Sequence, residues 1–165
     1  MQIANCKLQI ANCKMENGKW KMEILSYWSP VTNCFSRRKP WMWLMTPQEL
    51  SDRLLELAVR AGKAADALPN SRMGRHAAGQ LVRCGTSPGA NYEEACSAES
   101  RNDFVHKLRI CLKELRETRF WLRLIVKAEL LPEIRMSELI DEAGQLCDIM
   151  GKSVATASDD RSKSG

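Results

Sequence analysis

The sequence predicts an all-α fold, an antiparallel up-down four-helix bundle with a poorly ordered N-terminal extension ahead of it. Three observations carry that expectation. From Thr46 onward the apolar residues recur in steps of three and four, the period of a helix that buries one stripe. The stretches, about 20 to 28 residues each, are joined by short connections that carry proline or a capping serine. No segment is read as alternating apolar and polar with period two, so strands are not expected. Short links between long helices make sequence neighbours run antiparallel.

The first helix opens at Thr46-Pro47-Gln48-Glu49, an N-cap, a proline at the first helical position and a glutamate at the third. Its seam is Leu50, Leu54, Leu57, Ala61, Ala64 and Leu68. "LPNSR" (68–72) breaks it and supplies a fresh cap. The second helix carries Met73, Ala77, Leu81 and Cys84 inward, and beyond an expected kink at Pro88, Asn91 and Ala95. Ser100-Arg101-Asn102-Asp103 caps the third, whose seam runs Phe104, Leu108, Cys111, Leu115, Thr118, Leu122, Ile125. Pro132 leads into the fourth, with Met136, Leu139, Ala143, Leu146 and Met150 inward. Residues 45–157 thus form the bundle and 158–165 a disordered tail. Such a domain buries roughly two-thirds of its unfolded surface, enough for independent stability.

Residues 1–44 read differently. "MQIANCK" is followed by "LQIANCK", a tandem heptapeptide too short for a stable coiled coil. Four of the five tryptophans (Trp20, Trp28, Trp41, Trp43) then appear with scattered prolines. This segment is expected to be a repeat-derived, disordered extension that contributes nothing to the fold; the alternative is a basic aromatic arm gripping RNA or a membrane. The formal charge of +5 lies entirely here, because residues 1–45 hold seven basic and two acidic side chains and the remainder balances. Global charge therefore gives no case for a polyanionic partner, and only local pattern can.

Seven cysteines are present without any C-x-x-C. Cys84, Cys96, Cys111 and Cys147 fall within apolar-periodic segments, where a thiol behaves as a small hydrophobe. Free thiols, no disulfides and no zinc fit a reducing cytoplasm. No apolar run of about 18 residues exists and no secretory h-region is read, so neither a membrane span nor a membrane partner is expected.

Chemistry-bearing patterns are few. "GRHAAGQL" (74–81) lacks the Lys-Ser/Thr that a phosphate loop needs. "DFVH" (103–106) is one half of the carboxylate–histidine pair that di-iron bundles use twice. "TSPGANYEEA" (86–95) groups Pro88, Asn91 and Glu94, read as a kink with a buried amide that fixes bundle register. No nucleophile has a base beside it in the sequence. Catalytic residues, metal and cofactor are all expected to be absent, and the chain not to be an enzyme.

The third helix is the exception. On a wheel of 100° per residue, Arg109, Lys113, Arg116, Arg119, Arg123 and Lys127 occupy one sector with Phe120 in its middle. Like charges four apart destabilise an isolated helix by a few tenths of a kcal/mol per pair. Two readings account for the stripe. Glu93, Glu94, Glu99 or carboxylates of the fourth helix answer it within or between protomers, or a polyanion does, with phosphates on the cations and a base on Phe120. A third sector holds Ile110, Trp121 and Leu124 with Glu114 and Glu117, either a wider core or contact with a neighbouring subunit.

"CGTSPGANYEEACSAES…DFVHKL…LKELRETRFWLRL" resembles the four-helix-bundle proteins encoded within intervening sequences of bacterial 23S ribosomal RNA genes and in other bacterial loci. The match spans about residues 46–157 and leaves out 1–44; many members have an aliphatic residue where this chain has Pro88. That family is similar to the accessory protein of diversity-generating retroelements, a barrel-like homopentamer with basic surfaces that binds nucleic acid and a reverse transcriptase. The resemblance implies a bacterial, non-enzymatic homo-oligomer, pentameric by analogy, with RNA or DNA affinity. The alternative is a protein–protein scaffold whose basic face pairs acidic residues between subunits, or of another protein.

Overall fold

The computed structural model describes residues 8–16, 19–26 and 44–159. Expectations that fall on 1–7, 17–18, 27–43 and 160–165, including most of the tail, lie outside the described residues. Four helices make the bundle: α1 (Pro47–Asp66), α2 (Arg72–Cys96), α3 (Arg101–Lys127) and α4 (Glu133–Asp159). Each packs on the next in sequence, and α1 also meets α4, which closes an antiparallel up-down arrangement.

The helix starts follow from their caps. Thr46 Oγ1 accepts from the Glu49 N–H at 3.2 Å, and Glu49 accepts from the Thr46 N–H at 2.7 Å, a reciprocal capping box. Ser71 accepts from Gly74 N–H and Ser100 from Asp103 N–H. Gly74 is required where it stands, since a Cβ there would sit 2.0 Å from the Pro69 carbonyl oxygen. Beyond the end of α3, Glu129 takes the left-handed region (φ 54°), and the Leu130 N–H donates back to the Ile125 carbonyl.

The interior holds the expected seams of α3 and α4 in full, from Phe104 to Ile125 and from Met136 to Met150. In α1 the fully buried stripe runs to Ala65, and the expected Ala64 and Leu68 are half-buried against the core. In α2, Met73 is exposed, and Tyr92 replaces Asn91 as the inward residue, buried with its hydroxyl donating to the Pro47 carbonyl at 3.3 Å. Gly85 lets α1 approach closely: a Cβ there would stand 2.7 Å from that of Ala61.

Pro88 is buried inside an unbroken α2. A proline has no N–H, so the carbonyl four residues back, that of Cys84, loses its helical donor. Thr118 of α3 fills the vacancy: its hydroxyl lies 2.8 Å from that carbonyl and 2.8 Å from its own-helix Glu114 carbonyl. Asn91, expected to fix bundle register, instead donates its amide within its own helix, to Ser87 O and Oγ. The bond that joins the two helices at this level is made by Thr118.

Ahead of the bundle, β1 (Leu8–Glu16) and β2 (Lys19–Ser26) pair antiparallel, and β3 (Leu44–Met45) pairs with β2. No strands are expected from the sequence, and these segments correct that. Lys19, Lys21 and Glu23 do alternate with Trp20, Met22 and Ile24, and Asn17-Gly18 is the dipeptide most favoured between hairpin strands.

Candidate functional site

α3 contributes one flank to α2 and the other to α4, and these flanks differ in charge. Toward α2, buried Glu114 and half-buried Glu117 both meet Arg83, the first at 3.4 Å. Lys107 pairs with Glu94. Arg83 holds the Glu117 carboxyl below its ordinary range through a hydrogen bond, and the Trp121 N–H adds a second at 3.4 Å.

Toward α4, Arg116, Arg119, Phe120, Arg123, Leu124 and Lys127 line an open groove of about 710 Å³ with Cys147 and Asp148 of α4. The helical repeat stacks the α3 side chains on one face, and α4 supplies the opposite wall. The Arg119 guanidinium lies over Gly144, where a Cβ would stand in ordinary contact, 3.7 Å from Arg119 Cζ. Phe120 is 57% exposed, its ring held edge-on by Trp121 at 5.4 Å. Burial pushes the Cys147 thiol up, against the pull of Arg119 and Arg116.

Among the described residues, Lys113, Arg116, Arg119, Arg123 and Lys127 have no carboxylate within ion-pair distance. Of the internal partners the sequence offered, four are engaged elsewhere, and Glu99, Glu133 and Asp141 form no ion pair among the described residues. Glu94 meets Lys107 and Glu93 accepts from Ser51. On α4, Glu142 takes a two-pronged bond from Arg53 of α1 (2.9 and 3.0 Å), and Glu138 lies 3.8 Å from Arg60. Asp148 shares the groove with the cations without pairing to them.

Of the seven side chains expected on the polyanion-binding face, five line the groove. Arg109 and Lys113 do not; Arg109 reaches Ser158 Oγ near the end of α4 at 3.4 Å, and Lys113 lends its charge to Glu117. Ile110 is half-buried, as is Trp121, which packs on the bundle's own core and contacts His76 of α2 edge-on at 5.4 Å. Leu124, expected with them, lies in the groove. Pro88 and Asn91 stand in α2 as described above, and Glu94 is exposed. Sequence reasoning missed Gly144, Cys147 and Asp148, because their place beside the stripe arises from the packing of α4 on α3.

Such a groove can hold an anion and a flat ring, and it sets no acid–base pair around a reacting atom. No helix among the described residues is long and apolar enough to cross a membrane. No curated protein sequence matches the chain. It is similar to a protein with unknown function from the S23 ribosomal protein family from Bacteroides thetaiotaomicron VPI-5482, known from a crystal structure at 1.70 Å. The two are 33% identical with a TM-score of 0.60, over 64% of this chain and 97% of that one. The family description "23S rRNA-intervening sequence protein" matches residues 49–152, from the first turn of α1 into the last third of α4. The chain belongs to the 23S rRNA-intervening sequence protein family.

Proposed function

We propose that this is a non-enzymatic, oligomeric bundle protein of the cytoplasm that binds RNA or DNA through the α3–α4 groove. The observation that carries the reading is the set of groove cations without a carboxylate partner around an exposed Phe120. Mutual repulsion along Arg119, Arg123 and Lys127 works against the helix, and an external polyanion relieves it. Arg116, Arg119, Arg123 and Lys127 contact phosphates, which gives binding along the backbone with little regard to sequence, and Phe120 stacks a base. Self-association runs through the exposed part of Trp121 and Ile110, about three turns away on the same side of α3, with the homopentamer of the similar retroelement protein as the expected size.

A salt series on the full chain tests this by fluorescence anisotropy with a labelled oligonucleotide. Affinity falls steeply with salt, and Arg119→Ala/Arg123→Ala lowers it at least tenfold at low salt. The slope of log affinity against log salt becomes shallower by about 1.4, because each of the two arginines neutralises one phosphate and each phosphate contributes about 0.7 on a single strand. Light scattering on the same samples reads the assembly. A variant that binds as the parent does overturns the nucleic-acid reading. A variant that loses its oligomer, from a parent that never bound nucleic acid, makes the cations an intersubunit device and the protein a scaffold.

A further inference from the structure

We infer that the groove takes an unpaired guanine from a single strand and that Asp148 reads it. The inference rests on the nucleic-acid reading above and adds one position at which sequence matters. Among the groove's eight lining residues, Asp148 is the one acid. It is exposed and, among the described residues, forms no ion pair with the cations that share the groove. In the path of a phosphate backbone a carboxylate only repels. Its chemistry there is that of an acceptor with two oxygens and no donor, so it needs a ligand edge that offers hydrogens.

The nucleobases differ sharply on that count. Guanine sets N1–H and the exocyclic N2–H side by side on its Watson–Crick edge, two parallel donors for two carboxylate oxygens. Adenine and cytosine place one amine beside a ring nitrogen whose lone pair would face the second oxygen. Uracil and thymine put one N–H between two carbonyls. A carboxylate therefore favours guanine and disfavours the others. In a duplex the same edge is taken by cytosine, so the ligand must be single-stranded, as is usual where that edge is read.

The rest of the groove suits a base. Phe120 offers a ring face, with Trp121 edge-on behind it. Leu124 and Cys147 add apolar lining, and a volume of about 710 Å³ admits a nucleotide. The groove arginines hold the flanking phosphates.

The test uses the full chain and a uridine oligomer of about twelve nucleotides, within the site size of a single-strand groove. A second oligomer is identical but for one central guanine. The parent binds the guanine oligomer about fivefold or more tighter than the uridine one, the lower end for a bidentate base contact. Asp148→Asn abolishes that difference and leaves uridine binding equal or slightly stronger. Annealing the guanine oligomer to its complement removes the preference, and guanosine monophosphate at the oligomer's concentration does not compete. Equal affinity of the parent for both single strands overturns the inference and leaves the backbone reading standing. So does an Asp148→Asn variant that binds both more tightly by one factor, since Asp148 would then only temper the cationic field. Competition by the free nucleotide as strong as by the strand would overturn the single-strand assignment. Failure to bind either oligomer overturns the nucleic-acid reading and this one with it.

Discussion

Toward α2, α3 presents Glu114 and Glu117 to Arg83 and Lys107 to Glu94; toward α4, it presents Arg116, Arg119 and Arg123 to a groove whose single acid pairs with none of them. The difference is one of assignment more than composition. α4 has acids of its own, but Glu138 and Glu142 point across the bundle to Arg60 and Arg53 of α1. Charge on the α2 flank thus serves cohesion, and charge on the α4 flank is left facing out. If that division holds, substitutions on the first flank change stability and spare binding, and those on the second do the reverse.

The largest stability effect is expected where the two helices share a buried polar bond. Thr118→Val keeps the shape but removes the hydroxyl that reaches the Cys84 carbonyl beside Pro88. A buried carbonyl left without a donor costs about 1–3 kcal/mol. Urea unfolding should show that loss, with nucleic-acid affinity unchanged. Restoring an N–H in the same background, by Pro88→Ala, should recover most of it. An unchanged midpoint for Thr118→Val would mean that the carbonyl finds another donor.

Next in size, Arg119→Ala/Arg123→Ala separates the two properties from the other side. The same variant that binds nucleic acid at least tenfold more weakly should unfold at equal or slightly higher urea. It removes like-charge neighbours worth a few tenths of a kcal/mol each, and alanine is the better helix former. A marked loss of stability would show that the arginines pack as structural parts, Arg119 over Gly144 above all.

How much of this was legible in the sequence depends on the range of the interaction. Caps and seams are local, and the Thr46 box, the serine caps and the α3 and α4 stripes stand where spacing placed them. The cationic stripe is local too, because five of its expected seven residues share one groove by helical repeat alone. Its opposite wall was not legible: Gly144, Cys147 and Asp148 carry no pattern of their own, and only the rotation of α4 against α3 brings them there. Asn91 shows the same limit. Its polarity suggested a buried bond between helices, whereas a neighbour one turn back, Ser87, was nearer to hand. The N-terminal hairpin does carry local signals, the alternation of 19–24, that of 11–16 and the Asn-Gly between the strands, but the phase slips between Ile10 and Asn12, so no single period runs through the heptapeptide.

The smallest effect is a pH dependence on the α2 flank. Arg83 holds the Glu117 carboxyl below its ordinary 4.5, chiefly by a hydrogen bond, with weaker help from Trp121, Arg83's own charge and Lys113. A carboxyl depressed in the folded state stabilises it above the unfolded value, and that contribution is lost as pH falls through the folded one. The same pair raises Arg83 further above its ordinary value, which changes nothing in acid. Thermal melts of the parent and of Arg83→Ala should therefore differ slightly at pH 7 and converge below pH 4.5 as Glu117 protonates. The gap is small because Arg83 is an exposed, screened partner. A gap that stays constant from neutral pH into acid would show that Arg83 acts through its aliphatic stem packed on α3, and the α2 flank would then owe its cohesion to contact rather than to charge.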